Sequence, residues 1–153
     1  MTIYELSKDF KRKYPLTIAW RLKKHAKIIE KHLTPNEEIL YVFAGQKSHY
    51  AYEIFFTNIV VLTNKRIIVA TKRVLFGYIF LSVTPDLYND LRIKSRIIWG
   101  KVIIDTVKEV IVISNLDKRS LKSIQNNISE YMIAKKRGFI SKQGEVISNN
   151  TVG

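Results

Sequence analysis

Residues 54–71, IFFTNIVVLTNKRIIVAT, constrain the fold more than any other stretch of this chain. Two apolar runs flank Thr63–Asn64–Lys65–Arg66, and Asn64–Lys65 can take the left-handed geometry that a two-residue hairpin turn requires. The stretch therefore reads as antiparallel strands over Ile54–Leu62 and Arg66–Thr71. In the second of these, Ile67, Ile68, Val69 and Ala70 are consecutive apolar residues. Side chains alternate faces along a strand, so such a run calls for a central strand covered on both sides.

The rest of the chain from Glu38 onward keeps the period of strands. Ile39–Gly45, Gly77–Val83, Leu91–Ser95, Ile97–Thr106 and Glu109–Ser114 bring the expected number to seven. Gln46–Tyr52 reads as a polar loop, and Thr84–Pro85–Asp86 as a break. Gly100 inside the sixth strand suggests a bulge or bend that helps a small barrel close. Asp117 suits a helix N-cap, its carboxylate accepting an orphan backbone N–H. Leu121, Ile124, Ile128, Tyr131 and Met132 then form a wide apolar face on a helix of about five turns. Lys135, Lys136 and Arg137 would favour the C-terminal end of its dipole, and Gly138 is a natural stop. Such a helix needs a surface to cover, and the open end of a barrel offers one.

Ahead of the strands, residues 1–14 read as a loose arm or a short helix over Ile3–Phe10. Pro15 suits the first turn of a helix over Leu16–Leu33. Ile18, Leu22, Ala26, Ile29 and Leu33 form one stripe along it, and Arg21, Lys24, Lys27 and Lys31 lie on a different face. Pro35 ends it. Residues 138–153 read as a flexible tail, with a weak hairpin around Gln143–Gly144 as the alternative.

VVLTNKRIIVATKR (Val60–Arg73) resembles the central hairpin of bacterial pleckstrin-homology-like (PH-like) domains, in particular the YokE-like group. Ile98–Thr106, KEVIVISN and the Asp117–Lys136 helix match the second half of that pattern, and Thr17–Lys47 looks like the helical lead-in of some members. The resemblance implies a mainly β fold with α: a seven-stranded antiparallel barrel of two orthogonal sheets, capped by the C-terminal helix and preceded by an N-terminal amphipathic helix. The expected organisation is 1–36 for the arm and helix, 37–137 for the PH-like domain, and 138–153 for the tail. The resemblance implies no activity and no cofactor; some relatives form homo-oligomeric rings.

What the chain does is less constrained. Its net charge is +13, of which +6 falls in residues 1–33 (nine Lys/Arg against three Asp/Glu). Such an excess favours anionic partners. With no cysteine, disulfides, thiol chemistry and cysteine-ligated zinc are excluded. The N-terminus lacks the apolar segment of a secretory signal. The longest nearly apolar run, Val74–Val83, is half the roughly 20 residues of a membrane-spanning helix. A cytoplasmic protein, at most peripheral to a membrane, is expected.

Four kinds of site are conceivable in this chain, each with a plainer structural role beside it. A phosphoinositide clamp needs several cations in the first inter-strand loop, and Gly45–Tyr50 holds only Lys47 and His49. Arg21, Lys24, Lys27 and Lys31, with Trp20 nearby, could lie on an anionic membrane, although amphipathic helices in compact domains more often face a core. Lys65, Arg66, Lys72 and Arg73, near Phe76 and Tyr78, could track nucleic acid, although strand-end cations also guard sheet edges. His25, His32 and His49 are scattered, and Asp86 and Asp90 read as a solvated pair at a turn, so no catalytic residue and no metal site is assigned. The leading expectation is a non-enzymatic binding or scaffolding module acting through protein contacts, including self-assembly, carried by helices and exposed strand edges. Peripheral binding to anionic lipid comes second and nucleic acid third.

Overall fold

All seven strands form, and the Ile67–Ala70 run is covered on both faces. The computed structural model describes residues 1–46, 56–72 and 76–151, with side chains as far as Gly138. Helices α1 (Ile3–Lys13) and α2 (Leu22–Glu30) precede strands β1 (Ile39–Gln46), β2 (Thr57–Thr63), β3 (Ile67–Lys72), β4 (Tyr78–Val83), β5 (Tyr88–Ser95), β6 (Trp99–Thr106) and β7 (Val110–Asp117). Helix α3 (Leu121–Thr151) follows. Short 3-10 turns at Pro85–Leu87 and Lys118–Ser120 lead into β5 and α3. Of the expected second strand, Ile54 and Phe55 lie outside the described residues.

The strands are antiparallel, in the order β4-β3-β2-β1-β7-β6-β5. A single register pair, Gln46 with Ser114, joins β1 to β7, so two leaves meet at one corner and the sheet curls into a half-barrel. Across its open side, a cavity of about 380 Å3 separates Val69, Ile79 and Leu81 from the start of β7 at Val110–Val112.

The apolar runs explain the layering. On the concave side Phe43, Val60, Leu62, Ile67 and Val69 pack with Val102, Ile104, Ile113 and the α3 residues Leu121, Ile124, Ile128 and Met132. On the convex side Val42, Ala44, Ile59, Val61, Ile68 and Ala70 pack with Ile3, Leu22, Ala26 and Ile29. Each Val, Leu or Ile side chain so buried contributes about 1.5–3 kcal/mol. The α2 stripe thus faces the sheet: Leu22, Ala26 and Ile29 are buried, Ile18 and Leu33 half-buried.

Three expectations are revised. First, of the loose arm and the short helix over Ile3–Phe10, the helix forms and runs longer, over eleven residues, with a capping box: the Thr2 hydroxyl accepts from the Glu5 N–H, and the Thr2 N–H donates to the Glu5 carboxylate. Second, the helix expected from Leu16 begins only at Leu22. The intervening chain is drawn onto the sheet by hydrogen bonds from the Ile18 N–H to the Asn115 carbonyl (3.0 Å) and from the Trp20 N–H to Thr57 Oγ1 (2.8 Å). Third, α3 does not stop at Gly138 but runs helical to Thr151, in place of the expected loose tail or hairpin. A Cβ at Gly138 would meet nothing within 4 Å, so this glycine sits open on the helix and caps nothing.

Candidate functional site

The Leu62–Arg66 motif is a clamp that ties the α2–β1 connection to the β2–β3 hairpin. Thr63 Oγ1 accepts the N–H groups of Lys65 and Arg66 and donates to Glu37 Oε1 at 2.8 Å. Asn64 accepts the Glu38 N–H and donates to the Asn36 carbonyl. Lys65 Nζ donates to Thr34 Oγ1 and the Pro35 carbonyl. The Arg66 guanidinium grips Glu37 through two bonds of 2.8 and 3.0 Å and donates to the His32 carbonyl at 2.9 Å. Burial works against the Glu37 carboxylate, but the bonds from Arg66, Thr34 and Thr63 outweigh it and lower its pKa to about 2.

The second proposed cation cluster is therefore no single patch. Arg66 is consumed by the clamp, Arg73 lies outside the described residues, and Lys65 and Lys72 stand at opposite ends of β3, roughly 23 Å apart at strand rise. The first cluster is a genuine surface: Arg21, Lys24, Lys27 and Lys31 are all exposed. Its apolar partner stripe, however, is packed against the sheet and cannot enter a lipid interface.

The histidines have structural work. Buried His25 accepts the Lys72 N–H at Nδ1 (2.8 Å), which requires a neutral ring. Burial, with the charges of Arg21 and Lys72, lowers its pKa to about 4. His32 contacts the Ile28 carbonyl through Nδ1 and stacks on Phe80. His49 is outside the described residues. Asp86 is exposed in a 3-10 turn and Asp90 on β5, as a solvated pair would be. Among the described residues, no three His, Asp or Glu side chains gather where they could hold a metal. Asp117 caps the turn into α3 as expected, accepting the Arg119 N–H. It is also gripped by the Arg119 side chain at 2.6 Å, which holds its pKa below the usual carboxylate range.

Among the described residues, two surfaces are left largely bare by the fold. One is the outer edge of β4, which pairs only with β3 among the described residues. Its sequence, YIFLSV, carries no charge, and exposed Phe76 and Tyr78 stand at its start. The opposite edge strand, β5, carries Asp90, Arg92 and Lys94 and packs against α3.

The other is the β5–β6 hairpin. Ile97 and Ile98 were expected inside a strand but lie at the turn, closed by the Arg96 N–H to the Trp99 carbonyl. Ile97 is 87% exposed. Trp99 Nε1 donates to the Leu16 carbonyl at 2.7 Å, and the Lys118 N–H to the Ile98 carbonyl, so the tip is braced from both sides. Gly100 allows this fit, since a Cβ there would lie 2.4 Å from Leu121 Cδ1 and 2.8 Å from the Lys94 carbonyl oxygen. The expected irregularity at Gly100 is present: Gly100 pairs with Leu116 but Val102 with Ile113, leaving an extra residue on β7. Asn115, in that bulge, has a φ of 52°. Beside the tip lies a recess of about 480 Å3, bordered by Lys94, Arg96, Lys101, Ser114 and Asn115. Sequence reading missed this surface because an apolar triplet next to a strand reads as strand. The available signal was four cations and no acid in residues 92–101, RIKSRIIWGK.

A curled seven-stranded antiparallel sheet closed by one C-terminal helix defines a PH-like domain. The bacterial PH domain family matches residues 33–130, and the chain belongs to that family. The match is to the family as a whole and does not separate out a YokE-like group. The crystal structure of a pleckstrin homology domain from Shewanella amazonensis SB2B is similar in fold, with a TM-score of 0.51 and 17% identity, over 72% of this chain and 96% of that one. A comparison with curated proteins finds no match.

Proposed function

We propose that this chain is a non-catalytic scaffolding module that associates with its own copies through the β4 edge. PH domains are generally binding modules rather than enzymes, and the coarse assignment follows from the family. The observation that supports the finer reading is the outer edge of β4, uncharged and without a strand partner among the described residues. Edge strands are commonly guarded by charge, proline or a covering element, because a bare edge invites another strand. In a chain of net charge +13, a six-residue edge without a single charge is where two copies can meet without like-charge repulsion. Antiparallel pairing of β4 with β4 about a twofold axis would use the same surface on both partners.

Light scattering on a size-exclusion column at low and high salt tests this. A discrete oligomer at both salts, lost on Tyr78→Lys with Phe76→Lys, is the expected result. A monomer at both salts, or an oligomer that ignores those substitutions, would overturn it. The anionic-membrane reading through Arg21, Lys24, Lys27 and Lys31 is weaker, because with the α2 stripe docked only screened charge remains.

A further inference from the structure

We infer that the cavity on the open side of the half-barrel is a binding site for a small uncharged molecule with an apolar body and one amide or hydroxyl group. The concave face of β2 and β3 is apolar at Val60, Leu62, Ile67 and Val69. Asn58 and Thr71 fall on the same face by alternation, yet both are polar, and each is only 3% exposed. Their side chains meet, the Thr71 hydroxyl donating to Asn58 Oδ1. That contact uses one end of the Asn58 amide. The other end has no partner among the described residues, and both side chains border the cavity of about 380 Å3. A buried amide group without a partner is costly, and native structures rarely keep one without a use.

The rest of the lining sets the chemistry of the ligand. Val69, Ile79, Leu81, Val110, Ile111 and Val112 make an aliphatic wall around the polar pair. Apolar walls with one or two placed polar groups are the anatomy of a small-molecule pocket, and the volume falls within the usual range of about 300–1,000 Å3. At the roughly 30 Å3 that a water occupies in the liquid, the space takes about a dozen non-hydrogen atoms. Among the described residues the lining holds one charge, on exposed Glu109, and no cation. A carboxylate or phosphate ligand would enter against that like charge with nothing to neutralise it, so fatty acids and phosphate esters do not fit. An extended peptide does not fit either. Val69 and Thr71 lie on β3, whose backbone is paired with β2 on one side and β4 on the other, so no strand can be added there. An uncharged molecule satisfies both parts of the site, its body against the aliphatic wall and its amide or hydroxyl on Asn58 and Thr71.

The cavity lies on the concave side, whereas the proposed association uses the outer edge of β4, so the two readings fail independently. The test is methyl and side-chain amide NMR of the full chain, titrated with octanamide and with octanoate, which has the same chain length and an anionic head. Octanamide should shift the Ile79, Leu81 and Val110 methyl signals and the Asn58 side-chain amide together and saturably, with a dissociation constant of about 1 mM or lower. Octanoate should bind at least about tenfold more weakly, because its charge has no partner in the cavity. Asn58→Ala should weaken octanamide binding several-fold by removing the polar anchor. Leu81→Trp and Val112→Trp, at half-buried positions of the wall, should fill the space and abolish saturable binding while circular dichroism shows a folded chain. No saturable shift in the parent chain, octanoate binding as tightly as octanamide, or binding that survives in both tryptophan variants would each overturn the proposal. So would movement of the same signals with protein concentration alone, which would assign the cavity to a second copy of the chain.

Discussion

Replacing Arg66 by methionine tests whether the family's signature hairpin is a structural clamp. The Glu37 side chain is fully buried and that of Arg66 is 16% exposed. Removing one partner of a buried ion pair costs about 3–5 kcal/mol, because the other charge is left uncompensated. Glu37 would keep the Thr34 N–H at 2.9 Å and the Thr34 and Thr63 hydroxyls at 3.0 and 2.8 Å, which places the expected loss at the low end, about 3 kcal/mol. Domains of this size have roughly 5–15 kcal/mol in all, so the variant should remain folded but visibly weakened. Urea unfolding followed by circular dichroism should show the midpoint falling by about 1–2 M. Glu37→Gln and the double variant complete a cycle, and the coupling between the two positions should be about 2 kcal/mol or more. The acid limb gives a second signature. Glu37 titrates at about 2 in the fold against an ordinary 4.5, so its contribution is present above pH 4.5 and lost as pH falls toward 2. That loss should shrink in the Arg66→Met variant. A destabilisation under about 1 kcal/mol with negligible coupling would place the pair among exposed ion pairs and refute the clamp.

Acid should also act through His25. Its folded pKa of about 4 lies below the ordinary 6.5, so stability is full above pH 6.5 and declines as pH falls from 6.5 to 4, by about 3 kcal/mol in all. Urea midpoints at pH 7 and pH 4.5 should differ accordingly, and His25→Gln should remove that part of the difference; an unchanged pH slope would show that His25 is not what titrates. Gly100→Ala should destabilise by about 1–3 kcal/mol, because its methyl would press on Leu121 and on the Lys94 carbonyl. Combined with Leu121→Ala, which makes room on one side, the loss should be smaller than the sum of the two single losses. A neutral Gly100→Ala would mean that the hairpin and the start of α3 are not held in close contact.

The parts legible before folding were those carried by local pattern. Consecutive apolar residues at Ile67–Ala70 demanded cover on two faces, and the strand and helix periods supplied enough elements to provide it. Asp117 capped its helix because a capping carboxylate needs only the next few residues. The Thr2–Glu5 capping box is equally local and fixes the start of α1 at Ile3, where the short-helix reading had it. Tertiary contact decided the rest. Leu16–Arg21 has helical spacing, but hydrogen bonds to Asn115 and Thr57, far away in sequence, hold it against the sheet. Lys65 and Arg66 read as free cations until the α2–β1 connection closed over them. Ile97 and Ile98 read as strand until the register of β5 with β6 placed them at the turn. Periodicity reports which side of an element is apolar, because that depends on neighbours three or four residues away. Whether a charge is paired or an apolar side chain is left bare depends on what the fold brings opposite it, and no local window contains that.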